Sequence, residues 1–184
     1  MKIIVAITGA SGGVYARLCL EQLLHAVEVE QIALIVSKTA QEVLKFEGVE
    51  LPQDEKIVCY DNDDMFAAVA SGSARYDVMV VVPASMGSVG RIAAGVSLSL
   101  IERAADVMLK ERRKLILVVR ETPYSLIHLR NMTTLTEAGA VVLPASPSFY
   151  SHPKSLDDAI MTVVERIMAH VGVNTPHYEW RDEN

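Results

Sequence analysis

A positively charged and a negatively charged residue stand together at the end of a strongly apolar segment. Residues 115–119 read LILVV, and Arg120 and Glu121 follow directly, before a Thr-Pro pair whose proline stops the strand. Five apolar residues without polar alternation are typical of a strand covered on both faces in a parallel sheet. The carboxyl ends of such strands bind ligands in open α/β sheets, so the position predicts a ligand site. A solvated surface ion pair is the alternative for an isolated Arg-Glu.

Three other predicted strands also end in loops built from small residues. Residues 3–7, 31–36 and 78–82 are apolar, and they lead into TGASGG, SK and PASMGS respectively. Such loops let a flat, phosphate-bearing cofactor approach the backbone and donate hydrogen bonds to it without bulk. The first loop has neither the GxGxxG nor the Walker pattern, so a tight strand-to-helix turn is the alternative there. For Ser37 the alternative is an ordinary helix N-cap.

The spacing of apolar residues predicts the elements that position these loops. Helices are predicted after the glycine loop and at residues 40–46, 65–70, 92–110, 124–137 and 155–171, with short strands at 57–60 and 140–143. Strands alternating with helices predict an α/β fold, a three-layer α/β/α sandwich with a mainly parallel sheet. The 184 residues are predicted to form one domain, 1–184, in which residues from about 172 to 184 are a C-terminal tail.

The composition argues against several classes of protein. A formal net charge of −6 is unlike that of a general nucleic-acid binder. Cys19 and Cys59 have no metal-ligand spacing, which predicts no metal site and favours a reduced, cytoplasmic setting. Neither a signal peptide nor an apolar run long enough to cross a membrane is visible. Trp180 in the polar tail indicates that the tail docks, for example on a neighbouring subunit, with a solvent-exposed tryptophan as the alternative.

Taken together, the motifs resemble those of the UbiX-type flavin prenyltransferases, a bacterial family also known as aromatic-acid or phenylacrylic acid decarboxylases. The resemblance covers nearly the whole chain and rests on GASG at residues 9–12, SK at 37–38, SGS at 71–73, PASMGS at 83–88, RAADVMLKERRKL at 103–115, RETP at 120–123, HLRNM at 128–132 and FY at 149–150. The most specific feature is RAADVMLKERRKL followed by RETP at this spacing. Two departures are Ala84, where the family commonly has Cys, and VSLSLIE before Arg103, where an Asn-bearing run is usual.

The resemblance implies a flavodoxin-like Rossmann fold, FMN as the flavin, and a dodecamer with sites between subunits. It implies FMN contacts from Gly9, Ala10, Ser11, Ser37, Ser85, Met86, Gly87, Ser88 and Arg120. It assigns the phosphate of dimethylallyl monophosphate to Arg103, Lys110, Tyr150 and Arg166. The catalytic positions that it implies are Glu121, Glu47, Ser11 and Trp180.

The implied reaction joins a dimethylallyl group to N5 and C6 of reduced FMN, without a metal, and supplies prenylated FMN to a UbiD-type decarboxylase. The cationic residues would stabilise the leaving phosphate, and Glu121 would act as a general acid or base. One alternative is a flavin-dependent cysteine decarboxylase, but MGS at residues 86–88 replaces the Asn-bearing motif of that class. The others are a non-catalytic FMN carrier or subunit of an aromatic-acid decarboxylase system, and a direct aromatic-acid decarboxylase.

Overall fold

A single parallel sheet organises the described part of the chain. In the computed structural model, which describes residues 1–174, six strands form this sheet in the order β3-β2-β1-β4-β5-β6. The strands are β1 Lys2–Ile7, β2 Gln31–Val36, β3 Ile57–Tyr60, β4 Val78–Ala84, β5 Lys114–Val119 and β6 Val141–Pro144. Every adjacent pair is parallel. This strand order is that of the doubly wound Rossmann sheet.

Helices cover both faces of the sheet. Within residues 1–174 they are α1 Gly13–His25, α2 Lys38–Glu47, α3 Met86–Ala93, α4 Leu100–Lys110, α5 Leu126–Glu137 and α6 Leu156–Val171. The core contributed by α1, α2 and α6 lies on one face, and that of α3, α4 and α5 lies on the other. The predicted three-layer, flavodoxin-like α/β sandwich is therefore confirmed. None of these helices is long and apolar enough to cross a bilayer.

The apolar strands follow from this two-sided packing. In β1, the side chains of Ile3, Val5 and Ile7 belong to one core cluster, while Ile4 and Ala6 belong to the other. All five side chains are at most 1% exposed. Because neither face meets water, the strand has no polar alternation, as the sequence pattern indicated.

The prediction of one helix over residues 92–110 is wrong. The segment belongs to two helices, α3 and α4, which are joined by residues 94–99. Gly95 has a positive φ of 70° in this connection, a conformation that disfavours continuation of a helix. Ser99 and Glu102 then form a capping box that starts α4. The break matters because it exposes a second helix start at the carboxyl edge of the sheet.

Two neighbouring predictions are corrected as well. Residues 83–88 are not all loop, since Pro83 and Ala84 end β4 and Ser85 caps α3. Residues 65–70 are not an α-helix, and only the short 3-10 turns Ala68–Ala70 and Gly72–Ala74 form there. The side chain of Asp64 accepts a hydrogen bond from the backbone N–H of residue 66 at 3.0 Å, which favours a turn over a helix.

Candidate active site

The predicted loops converge at the carboxyl edge of the sheet, where the strand order switches direction. In the sheet, β1 lies between β2 and β4, so connections from neighbouring strands diverge at this point. Such a switch point opens a crevice in which ligands bind. The buried Thr8 joins the two loops, because its Oγ1 donates to the Pro83 carbonyl at 2.8 Å and accepts from the Ser85 N–H at 2.7 Å. Thr8 was not among the predicted site residues, although its place directly after β1 was a usable signal.

A cavity of about 320 Å³ opens at this edge. It is lined by Gly9, Ser37, Thr39, Asn62, Ser85, Ser88, Arg91, Leu98, Ser99, Ile101 and Glu102. The predicted cofactor residues in this lining are Gly9, Ser37, Ser85 and Ser88, and their chain neighbours are Ala10, Ser11, Met86 and Gly87. A larger cavity of about 720 Å³ lies between α2 and β3, but no predicted site residue lines it. Volume alone therefore does not identify the site.

Three helices begin at the wall of this cavity, and the start of α4 at Ser99 already has a carboxylate, that of Glu102, on its N–H groups. Ser37 caps α2 by accepting from the Ala40 N–H at 3.2 Å, and Ser85 caps α3 by accepting from the Ser88 N–H at 3.4 Å. The alternative prediction for Ser37, a helix N-cap, is thus confirmed, and the same residue lines the cavity. First-turn N–H groups and the helix dipole favour an anion at such a place. The starts of α2 and α3 therefore give this part of the cavity wall a preference for an anion.

Gly9 lets helix α2 pack closely against the loop after β1. A Cβ atom at this position would lie 2.5 Å from Cγ2 of Thr39, which is far inside van der Waals contact. The first residue of α1 is similarly tight, since a Cβ atom on Gly13 would lie 2.5 Å from Cδ2 of Leu44. The absence of a side chain at these two positions keeps α2 close to the loop after β1.

Glu47 occupies the N-terminus of α1, which also starts near this edge. Its two carboxylate oxygens accept from the N–H groups of Gly12 and Gly13 at 2.8 and 2.7 Å. Burial opposes ionisation, but hydrogen bonds from the Ser11 side chain and the two amides, together with the charge of Arg120, lower the pKa of Glu47. The predicted catalytic residues Ser11 and Glu47 are therefore in direct contact. Helix α1 already has its anion, which leaves α2 and α3 for a ligand.

Arg120 and Glu121 follow β5 at the same edge, as predicted. The Arg120 Nε donates to the Ser11 carbonyl at 3.1 Å, and its backbone N–H donates to the Ala84 carbonyl at 3.3 Å. Arg120 thereby ties the ends of β4 and β5 to the loop after β1. Glu121 is half-buried, and its Oε1 accepts from the Thr122 N–H at 2.9 Å. This contact orients the Glu121 carboxylate at the end of β5.

The predicted phosphate-binding residues are not brought together within one chain. Arg103 and Lys110 lie on α4, whose apolar side packs on one face of the sheet. Arg103 donates to the Ala70 carbonyl at 3.1 Å and to Asp106 at 2.8 Å, while Lys110 forms an ion pair with Glu111. Lys110 is the last residue of α4, roughly 15 Å along the axis from the helix start at the carboxyl edge.

The other two predicted phosphate-binding residues lie across the sheet. Arg166 is on α6, which packs on the opposite face, and it lines a cavity of about 290 Å³ next to β6. Tyr150 is mostly exposed in the loop after β6, which is held to α6 by a 3.0 Å hydrogen bond from the Ser148 N–H to Thr162. Because the sheet stands between the two pairs, a common phosphate site requires residues from more than one chain.

A charged pair that the sequence prediction missed completes the cavity wall. Glu102 is only 3% exposed, and it forms an ion pair with Arg91 of α3. Both residues line the cavity of about 320 Å³. The capping-box signature SxxE at residues 99–102 was the signal that could have found Glu102. A single helix over residues 92–110 has no start at Ser99, so that prediction hides the signal.

The remaining predicted residue, Trp180, lies outside the described residues. Within residues 1–174, no three His, Cys, Asp or Glu side chains are grouped so as to hold a metal ion. Cys19 and Cys59 are both free thiols.

Comparison with known proteins extends these observations to a family. The chain matches the family model described as Flavoprotein over residues 1–172. The flavin prenyltransferase UbiX of Methanocaldococcus jannaschii is 46% identical over 177 residues, which covers 95% of this chain and 95% of that protein.

Two solved structures agree with this relationship over nearly their full length. AnUbiX (PadA1) in complex with FMN and dimethylallyl pyrophosphate has a TM-score of 0.92 and 41% identity, covering 100% of this chain and 98% of that one. A dodecameric FMN-dependent UbiX-like decarboxylase from Escherichia coli O157:H7 has a TM-score of 0.91 and 38% identity, covering 98% and 100%. The switch-point cavity, its small-residue loops and these relationships together show that the chain belongs to the UbiX family of flavin prenyltransferases.

Proposed function

We propose that this protein transfers a dimethylallyl group from dimethylallyl monophosphate to N5 and C6 of reduced FMN, and that a UbiD-type decarboxylase uses the prenylated FMN. The observation that carries the proposal is the cavity at the switch point, where the loops after β1, β2 and β4 meet Arg120. The matches to relatives named flavin prenyltransferase cover most of this chain. The free thiols of Cys19 and Cys59 are consistent with work in the reducing cytoplasm.

The residues at the switch point fit a flavin nucleotide. The N-termini of α2 and α3 at the cavity wall suit its phosphate, while α1 is already neutralised by Glu47. Gly9 lines the cavity and has no side chain, so its backbone can approach a ligand directly. In this proposal FMN is held by Gly9, Ala10, Ser11, Ser37, Ser85, Met86, Gly87, Ser88 and Arg120.

The prenyl donor is proposed to bind where two chains meet. Arg103 and Lys110 would come from one chain, and Tyr150 and Arg166 from another, because the sheet separates the two pairs within a chain. Helix α5 supports association, since Leu126, Ile127 and Leu129 on it are 61%, 68% and 47% exposed. A dodecamer, as in the relative from Escherichia coli, is the assembly that we propose.

The charged side chains then have separable tasks. Breaking the C–O bond of the donor places negative charge on the leaving phosphate, which guanidinium and ammonium groups stabilise electrostatically. Glu121 has one carboxylate oxygen held by the Thr122 N–H and the other available to move a proton. Glu47 holds Ser11 through its hydroxyl, so that Ser11 keeps its place beside Arg120. Trp180, which the C-terminal tail carries, is proposed to cover the site.

The test is an anaerobic reaction of the purified protein with reduced FMN and dimethylallyl monophosphate, followed by mass spectrometry of the released flavin. A flavin heavier by one prenyl unit is the expected product. The diphosphate is tried in parallel, because the AnUbiX relative was solved with dimethylallyl pyrophosphate. Unmodified flavin with both donors, when FMN is bound, would favour a carrier or a cysteine decarboxylase instead.

The variant Glu121→Gln tests the proton-transfer role. It is expected to bind FMN as the wild type does and to form product at least about a hundredfold more slowly, the usual size of a general acid or base effect. Glu137→Gln, at the exposed end of α5, is the matched control and should keep the wild-type rate. Full activity in Glu121→Gln would remove Glu121 from the mechanism.

A further inference from the structure

The buried carboxylate of Glu102 has an unusually complete set of partners. It accepts from the backbone N–H groups of Leu98 at 2.8 Å and Ser99 at 3.1 Å, and from Nε of Arg91. At 3% exposure, Glu102 would be costly to bury as an anion without them. These contacts fix the guanidinium of Arg91 in one orientation across the break between α3 and α4.

The fixed guanidinium makes a second contact, to the cavity residue Ser88. Nη2 of Arg91 donates to Ser88 Oγ at 3.2 Å, and Oγ of Ser85 donates to the same atom at 3.1 Å. A serine hydroxyl has two acceptor lone pairs and one proton. Two donors already occupy the acceptor positions of the Ser88 oxygen, so its own O–H bond points in a third direction. Ser88 is 5% exposed and lines the cavity, so the hydroxyl can donate a hydrogen bond into the cavity.

We propose that Arg91, held by Glu102, is a positioning residue that makes the Ser88 hydroxyl a donor to an acceptor atom of bound FMN. The inference rests on the proposed function, because it takes FMN as the ligand of this cavity. The positive charge beside the oxygen strengthens the hydroxyl as a donor, since hydrogen bonds in a chain polarise one another. Glu102 acts through Arg91 and has no contact with FMN in this proposal.

The geometry requires arginine rather than any cation at position 91. The guanidinium fork addresses Glu102 through Nε and Ser88 through Nη2, two directions that a lysine ammonium on a flexible stem does not reproduce together. Arg91→Lys therefore keeps the charge next to Glu102 but releases Ser88. This substitution separates the positioning role from simple charge neutralisation of the buried carboxylate.

The experiment is a titration of the apo-protein with FMN, followed by the quenching of flavin fluorescence. Four proteins are compared: the wild type, Ser88→Ala, Arg91→Lys and the double variant. Loss of one uncharged hydrogen bond is expected to weaken binding in Ser88→Ala about five- to tenfold. Arg91→Lys is expected to weaken binding by a similar factor, and the double variant no further than Ser88→Ala. Such non-additivity identifies two residues that act through one hydrogen bond.

A matched control separates this role from a general contribution to stability. Arg17 on α1 likewise contacts two side chains, Glu21 at 2.9 Å and Asp157 at 3.0 Å, but it does not line the cavity. Arg17→Lys should lower the melting temperature of the apo-protein without changing the affinity for FMN. Melting temperatures of all the variants show that each one is folded.

The outcomes are distinct. If the wild type fails to bind FMN, the proposed function falls and the inference falls with it. If the wild type binds FMN and Arg91→Lys binds it equally well, charge neutralisation alone is sufficient and the inference is refuted. If the losses in Arg91→Lys and Ser88→Ala multiply in the double variant, the residues act independently, and the inference is refuted by that result as well.

Discussion

Replacing Glu47 by glutamine tests how the carboxyl edge of the sheet is held together. The carboxylate accepts from the N–H groups of Gly12 and Gly13 with one oxygen each, and Ser11 adds a side-chain hydrogen bond. The glutamine amide has one acceptor oxygen and an NH₂ group in place of the other. In Glu47→Gln, one backbone N–H therefore faces a donor, and the negative charge at the start of α1 is lost.

The expected loss of stability follows from these contacts. A hydrogen bond to a charged group contributes about 1.5–3 kcal/mol, and the partial exposure of Glu47 places the loss near the low end, at about 2 kcal/mol. For a chain of this size, such a change lowers the melting temperature by roughly 4–8 °C. Melting is compared at one protein concentration, because association would otherwise shift the transition.

The loss should depend on pH in a direction that the structure fixes. The pKa of Glu47 is lowered in the folded protein from its ordinary value of 4.5. A lowered folded-state pKa gives stability that is fully present above the ordinary value and disappears as the pH falls through the folded value. The gap between wild type and Glu47→Gln should therefore be full at neutral pH and shrink progressively below about pH 4.5.

Glu42→Gln is the matched control for this measurement. Glu42 lies on the same helix, α2, and its side chain is exposed. Its replacement should change the melting temperature little at any pH. If Glu47→Gln melts with the wild type at neutral pH, or if the gap between them is the same at acid pH, Glu47 is not an ionised cap of α1.

Two further predictions concern other parts of the molecule. Burial raises the pKa of the Cys19 thiol to about 12, whereas Cys59 is exposed. A thiol reagent should therefore label only Cys59 in the folded protein and both cysteines in denaturant. Labelling of both in the folded protein would contradict the packing of α1. Two variants, Arg103→Ala and Arg166→Ala, should each be inactive alone. Co-expressed, they should recover about a quarter of the wild-type rate, because about one interface in four then combines both native arginines. No recovery in mixed assemblies would refute a site shared between chains.

The sequence was sufficient for most of the fold because the relevant signals are local. Both faces of the sheet are covered, so runs such as LILVV in β5 are continuously apolar and easy to recognise. The small-residue loops could be assigned to one site for a related reason. Parallel strands end at the same edge, so loops that follow β1, β2 and β4 must meet wherever they stand in the chain.

The missed features depend on contacts between residues that the local pattern does not connect. Apolar residues continue through positions 92–110, and a single Gly95 in that stretch is a weak signal against the combined helical spacing on either side. The interruption places Glu102 under Arg91 and lets Asn62, which is distant in sequence, accept from the Ile101 N–H at 3.1 Å at the start of α4. Neither partner can be inferred from the spacing of the residues around it.

The same reasoning explains why the most specific motif of the chain does not form a single site. Only four residues, 116–119, separate RAADVMLKERRKL from RETP in the sequence, but α4 runs from the carboxyl edge to the opposite edge, and β5 returns. Lys110 and Arg120 are therefore separated by the length of β5, roughly 20 Å for six residues. A cation that far from Arg120 cannot act on the same ligand within the chain. Under the proposed function, each chain therefore contributes Arg120 and Glu121 to one site and Lys110 to a neighbour's, which is the kind of sharing that the mixed-assembly prediction tests.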